Sequence, residues 1–449
     1  MAIFWKLSQK GLTSVFIILF LILGPFSITQ WNKVNILIVF VIASITLILV
    51  FLMGRKLKFW PVSFYPSLIY IFSFIVSLYS LVLTRESLTG EYVNSVIFGR
   101  LFTFVTILLT VLLINLWLAQ AEDKDLLKSL KIGFSIGLIF ILLGYWQFIG
   151  NIMGIPFFIE TRDWMHGVPI AIQSIVPRRL TSIAEEPNYL SPLLIEYLIL
   201  TGLVIAKKII KYLAYGLGLF VVIFSFSGGA YVNLLLVLSF YGFISLYRSF
   251  IFGKLKAQDL VFLFLIILFF CVILSIGDIL IDFIFAKLQG EAAGQSARSQ
   301  FLSSLVQLIS DSSLSQLLFG HGMATMSVLT DFGLPNEEFL FRITNNFYLD
   351  MIWEGGALGL SCIIIFFGYL LLVGFSNYLS NKYYEAGLLL TVHMMITCLY
   401  RSEYLSPHFI WVMTLIFICY KKGSCDMQRQ FSFPLIKISP FSVDLRAKK

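Results

Sequence analysis

About twelve apolar stretches, each roughly 15–25 residues long, alternate with short polar segments along this 449-residue chain. In hydrocarbon every backbone N–H and C=O must be bonded inside the protein, so such stretches are confined to α-helices. The chain is 59% hydrophobic and 12% charged, too little polar surface to clothe a water-soluble fold of this length. The sequence therefore predicts an all-α integral membrane protein of about 12 transmembrane helices. The expected spans are 12–29, 34–53, 61–83, 96–119 and 130–150, then 189–206, 212–226, 230–247 and 260–280, and finally 346–373, 386–400 and 405–420. The first lacks a small-residue cleavage site and reads as a helix rather than a removable leader.

Segment by segment, 1–150 carries helices 1–5, 151–188 is a first large outer loop and 189–280 carries helices 6–9. A second large outer loop follows at 281–345, then helices 10–12 at 346–420 and an inner tail at 421–449. Within the second loop, Phe301, Leu302, Leu305, Leu308 and Ile309 recur at helical spacing between Ser296 and Ser312, which predicts an amphipathic helix along the membrane surface. Long loops on a rigid scaffold are where function concentrates.

The basic residues are sorted by type. With the Lys-rich segments placed in the cytoplasm, roughly 22 of the 32 lie inside and about 9 outside. The outer set is Arg85, Arg162, Arg178, Arg179, Arg298, Arg342 and Arg401, with only Lys33 and Lys287 beside them. Topology alone gives no reason for arginine over lysine outside. A planar fork that grips phosphate oxygens bidentately does. The net charge of +8 follows from the inner lysines and tail and is no nucleic-acid signal. Of five cysteines, none falls in an outer loop, so neither a disulfide framework nor a Cys metal site is implied.

Two outer clusters could carry chemistry. The first is Arg178-Arg179-Leu-Thr-Ser-Ile-Ala-Glu185-Glu186-Pro187-Asn188, two arginines and two carboxylates just before a helix that Pro187 starts well. It reads either as a salt-bridge knot with a helix cap or as a phosphate grip beside a general base. The second runs from Arg298 through Gly320-His321-Gly322 to Arg342, Asn345 and Asn346. Its glycines permit a tight turn, and His321 reads either as a surface residue or as a base. Glu354, Arg100, Arg401 and Glu403 lie in or beside spans, each a structural ion pair or a ligand contact. No Walker motif, dinucleotide fingerprint, HExxH or Cys-pair zinc spacing occurs.

These motifs together resemble the O-antigen polymerase and O-antigen ligase superfamily of bacterial envelope proteins. The resemblance covers most of 175–359. Arg179 with Glu186-Pro187-Asn188 looks like the family's arginine and acid-proline pair. Arg298, the helix after it and Leu318-Phe-Gly-His-Gly322 look like its arginine, helix and G-x-G. Asn346-Phe-Tyr-Leu with Glu354-Gly-Gly-Ala-Leu-Gly359 looks like its last element. Asn345 stands where the family often has His, and Gly228 where many members have Arg.

The resemblance implies a metal-independent, cofactor-free glycosyltransferase of the bacterial inner membrane, facing the periplasm. Its donor would be a polyprenyl-diphosphate-linked oligosaccharide. Arg178, Arg179, Arg298, Arg342, Asn346 and Arg401 would hold diphosphate and glycan, and the base is open among Glu185, Glu186 and His321. The expectation is a polymerase of repeat units; the alternatives are a ligase that moves glycan onto lipid A–core, and a flippase. Membrane lipid, a chain-length regulator and a separate flippase are the expected partners, with no nucleic acid.

Overall fold

The computed structural model describes residues 8–54, 57–84, 88–163, 173, 177–252, 305–326, 344–402, 404–430 and 441–443. The described chain is helical apart from one short antiparallel pair, β1 (Leu57–Phe59) with β2 (Phe441–Val443), in which Leu57 faces Val443. In order, the helices are α1 (Gln9–Leu23), continued by a 3-10 turn at Gly24–Ile28, α2 (Asn32–Leu52), α3 (Pro61–Leu83), α4 (Phe98–Gln120) and α5 (Asp123–Met153). Then come α6 (Pro187–Val204), α7 (Lys208–Phe224), α8 (Gly228–Phe252), the short α9 (Leu314–Phe319), α10 (Phe347–Asn377), α11 (Lys382–Tyr400) and α12 (Pro407–Gln430). Seven of these, α1 with its 3-10 turn, α2, α3, α4, α5, α8 and α10, are long and apolar enough to cross a membrane. Helices α6, α7, α11 and α12 coincide with four further expected spans, and the expected span 260–280 lies outside the described residues. So do most of the second outer loop and all but 305–312 of the expected surface helix, of which 305–310 is helical.

The chain divides into two compact units, 1–136 with 305–449, and 137–304. This differs from a division by loops, because α5 begins in one unit and ends in the other.

In the first unit α3 shows why these helices suit a bilayer. Pro61 opens it at the position where a missing N–H costs nothing, after extended Trp60. Ser63, Ser67, Ser73, Ser77 and Ser80 are all buried, while Tyr65, Leu68, Phe72, Ile75, Tyr79 and Val82 are exposed. Water would invert that pattern. Hydrocarbon around the helix produces it, because small hydroxyl residues let helices approach closely while large apolar ones face lipid. Ser63 donates to the Asn115 side-chain carbonyl at 2.7 Å and Asn115 donates to Ser67 at 3.1 Å, joining α3 to α4. On its other side α3 packs against α10, with Ser77 close to Gly355.

Helix α10 starts at an Asn346 cap whose side chain accepts from the backbone N–H groups of Tyr348 and Leu349. It is interrupted at Gly356, where φ is 62° and ψ −162°. The carbonyls of Trp353 and Glu354 take their hydrogen bonds from the backbone N–H groups of His321 and Gly322, at 2.6 and 3.1 Å. A second chain segment thus completes the broken helix.

Charges in this unit separate by residue type. At one end Lys10 meets Glu122 and Asp125 at 2.6 and 3.0 Å, and Lys422 meets Asp123 at 2.7 Å. At the other end, where α3 finishes and α4, α10 and α12 begin, lie Arg100, Arg401, Asp350 and Glu354. In the second unit α6 is buried on nearly every side against α7 and α8. Tyr145 of α5 stacks on Phe220 of α7 and Phe148 meets the same ring edge-on, with ring centroids 4.7 and 4.9 Å apart.

Gly322 has φ +102°, and a Cβ there would stand 2.6 Å from the Leu81 backbone, whereas Gly54, φ +58°, would meet nothing within 4 Å. Gly322→Ala is therefore expected to cost at least roughly 1–3 kcal/mol from strain alone, and more from the clash. Unfolding in mixed micelles checks this, with Gly54→Ala as the strain-only control; equal effects at the two positions would refute the packing argument.

Candidate functional site

In the second unit the sequence 178–188 is shaped by one glutamine. The Gln147 side-chain oxygen accepts from the backbone N–H groups of Thr181 and Ser182, both at 2.8 Å, and its amide donates to the Thr181 hydroxyl at 2.9 Å. This pins a bend in which Ser182 takes φ 52°. The chain then enters α6 through Glu186, extended at φ −140° and ψ 156°, with Pro187 next. Ser227 ties the start of α6 to the turn before α8 by donating to the Asn188 side chain at 2.7 Å.

Three arginines meet this segment and do different things. The Arg179 fork is turned inward, donating from Nε to the Ser225 carbonyl at 3.1 Å and from Nη2 to the Phe226 carbonyl at 2.8 Å. It thereby caps the end of α7, where carbonyls lack helical partners. Arg178 lies outside with its side chain 65% exposed, 3.5 Å from Asp163. Burial pushes the Asp163 carboxyl above its usual range, and the Arg178 charge pulls it back. Arg162 bridges both carboxylates, Nη2 to Glu185 at 3.2 Å and Nη1 to Glu186 at 2.9 Å, with its own side chain 63% exposed. Its backbone is held by donation from its N–H to the Glu185 carbonyl at 2.8 Å. The Glu186 hydrogen bond raises the Arg162 guanidinium's affinity for its proton.

In the first unit His321 sits in a built pocket of contacts. Its ring stacks on Trp353, centroids 4.0 Å apart at 20°. Trp353 donates its indole N–H to Thr325 at 3.1 Å, and Glu354 accepts from the Ala324 N–H at 2.9 Å. The Thr84 hydroxyl donates to the His321 carbonyl at 2.9 Å. Nε2 of His321 lies 3.0 Å from the Ser312 hydroxyl, which donates its own proton to the Leu308 carbonyl at 2.8 Å. Burial pushes the ring's pKa below its ordinary value, so the neutral form is favoured.

Beside it is a buried polar cluster. Arg100 lies over the Tyr404 ring at 4.7 Å and feels the charges of Glu354 and Asp350. Asp350 accepts from the Thr344 N–H at 2.9 Å and from the Ser402 hydroxyl. The Tyr404 carbonyl accepts from the Tyr70 hydroxyl.

Of the expected site residues, Arg178, Arg179, Glu185 and Glu186 lie in the second unit, where the two glutamates share Arg162, Arg178 meets Asp163 and Arg179 turns to the Ser225 and Phe226 carbonyls. His321 and buried Arg401 belong to the first. The side chain of Asn346 is occupied as a helix cap. Arg298, Arg342, Arg85, Lys287 and Glu403 lie outside the described residues. Among the described residues no three His, Cys, Asp or Glu side chains gather as a metal site. Sequence reading missed Arg162 as the partner of both glutamates, and Asp350, although its i,i+4 spacing from Glu354 is legible. Gln147 left no signal. The sequence matches no protein-family model and no curated protein.

Replacing Arg179 by Ala leaves two carbonyls without charged donors, so a loss of about 2–3 kcal/mol is expected in micelle unfolding. A stability equal to the parent's would show that these bonds carry nothing. For His321 the folded state favours the neutral ring, so its contribution is complete above about pH 6.5 and declines as pH falls below it. His321→Phe is expected to flatten the fall in melting temperature between pH 7 and 5; an unchanged slope would refute it.

Proposed function

We propose that this chain is an integral-membrane glycosyltransferase that polymerises polyprenyl-diphosphate-linked oligosaccharide repeat units at the periplasmic face of the bacterial inner membrane. The observation that carries this reading is the Arg162 fork on Glu185 and Glu186 at the mouth of α6, with a second exposed fork, Arg178, on the neighbouring Asp163. Those forks suit the oxygens of a diphosphate leaving group. Neutralising charge on that group is the main electrostatic demand of the reaction. A carboxylate beside them is suited to take the proton of an acceptor hydroxyl. Arg179 supports the site from behind by fixing the end of α7.

The sequence resemblance to O-antigen polymerases and ligases supports the same class. Polymerase is preferred over ligase because Glu186-Pro187 resembles the polymerase branch, and because Asn345 stands where the ligase histidine is expected. A second reading, a flippase for lipid-linked sugars, draws on the interruption of α10 beside buried Arg100, Asp350 and Glu354. Broken helices with buried charge recur in transporters.

Purified protein supplied with polyprenyl-diphosphate-linked repeat units is expected to yield a ladder spaced by one unit. Arg178→Lys, which keeps the charge and loses the fork, should lower the yield at least about tenfold. Product only after addition of lipid A–core would make the protein a ligase. No product from a matched substrate, with movement of the lipid-linked sugar across vesicles, would replace the enzyme reading with transport.

A further inference from the structure

We infer that Arg162 is a guard on Glu186: in the empty site its fork occupies the two carboxylates, and a diphosphate draws it away and leaves Glu186 free to accept a proton. The inference rests on the glycosyltransferase reading above and adds a coupling between binding of the donor and readiness of the base.

Three observations on this site support it. First, one guanidinium serves two adjacent carboxylates, through Nη2 to Glu185 and Nη1 to Glu186. A fork shared in this way leaves the trio with a net negative charge, and the two carboxylates repel each other. Second, Glu186 holds the N-cap position of α6, yet its side chain makes no capping hydrogen bond. The shorter Asp, Asn, Ser and Thr turn back onto the first N–H groups of a helix; this longer side chain reaches Arg162 instead. Third, the Arg162 backbone is pinned to the Glu185 carbonyl while its side chain is mostly exposed. The fork can therefore swing without unfolding the bend that Gln147 holds.

An exposed ion pair is weak. A diphosphate offers the fork several charged oxygens and a bidentate fit, so it competes well for Arg162. The transfer then balances. The acceptor oxygen bonds to the anomeric carbon, and its proton passes to Glu186. The bond from that carbon to the diphosphate oxygen breaks, and the electron pair leaves with polyprenyl diphosphate, held by Arg162. The arrangement keeps the base masked until the leaving group is in place.

The test is a double-mutant cycle read by binding of inorganic pyrophosphate to the full chain in micelles. Glu186→Gln removes the competitor for the fork, so pyrophosphate is expected to bind more tightly, by up to about fivefold, the worth of one exposed pair. Arg162→Gln should weaken binding, and in that background Glu186→Gln should give no gain. Arg162→Lys keeps the charge and should recover only part of the affinity. An equal gain from Glu186→Gln in both backgrounds would mean simple charge repulsion; the guard would be overturned and the diphosphate site would stand. No pyrophosphate binding by the parent protein would overturn the diphosphate reading itself, and the guard with it.

Discussion

The interruption of α10 at Gly356 deprives two buried carbonyls of their helical partners, and the shape of the surrounding chain answers that loss. His321 and Gly322 supply the missing N–H groups, and this brings their backbone so close to α10 and α3 that Gly320, Gly322 and Gly356 have no room for a side chain. The approach in turn seats His321 on Trp353 and places Ala324 against the Glu354 carboxylate. An unsatisfied carbonyl in a dry environment costs several kcal/mol, so the loop and the break stand or fall together.

The second unit solves a different problem by the same means. The turn from α7 to α8 exposes carbonyls at Ser225 and Phe226, and Arg179 closes them with a charged fork. The residue that reads most readily as a ligand-binding arginine is thus committed to the scaffold. Arg162, held by the half-exposed Glu185 and Glu186, and Arg178, on the buried Asp163, keep their own forks mostly exposed. Inward and outward forks are thus divided among residues of identical chemistry, and burial tells them apart.

Much of the helical framework was legible because length and hydropathy dominate it: span 61–83 matches α3 to the residue, and others differ by a few residues at their ends. Helix α12 runs on to Gln430 rather than ending near 420, and α5 begins at Asp123 rather than near 130, since acidic residues in a first turn are favoured by the helix dipole. The positions of arginine and lysine were also legible, and in the first unit Lys10 and Lys422 lie at the opposite end from Arg100 and Arg401. What was hidden were the pairings. Arg162 finds Glu185 and Glu186 across more than twenty positions, and Gln147 reaches Thr181 across 34. Nothing in composition or periodicity encodes such contacts. Asn346 illustrates the converse, a polar residue in a motif-like setting whose side chain is used up by its own helix.

The serines of α3 have a consequence for how the protein is made. Ser67, Ser73, Ser77 and Ser80 each donate to a carbonyl of their own helix, one turn back. Each hydroxyl is thus provided for before any neighbour arrives, so α3 can enter a bilayer alone without carrying unmet polar groups. The face that will later receive α10 is smooth and already quiet, and docking needs no exchange of partners. Ser63, at the end nearest the Lys-rich face, reaches across to Asn115, which in turn donates to Ser67, and at the other end Ser80 also meets the Phe319 carbonyl. Assembly in the membrane can then proceed as the meeting of finished helices, with register set by these few crosslinks and by the depth of the glycine-lined contact.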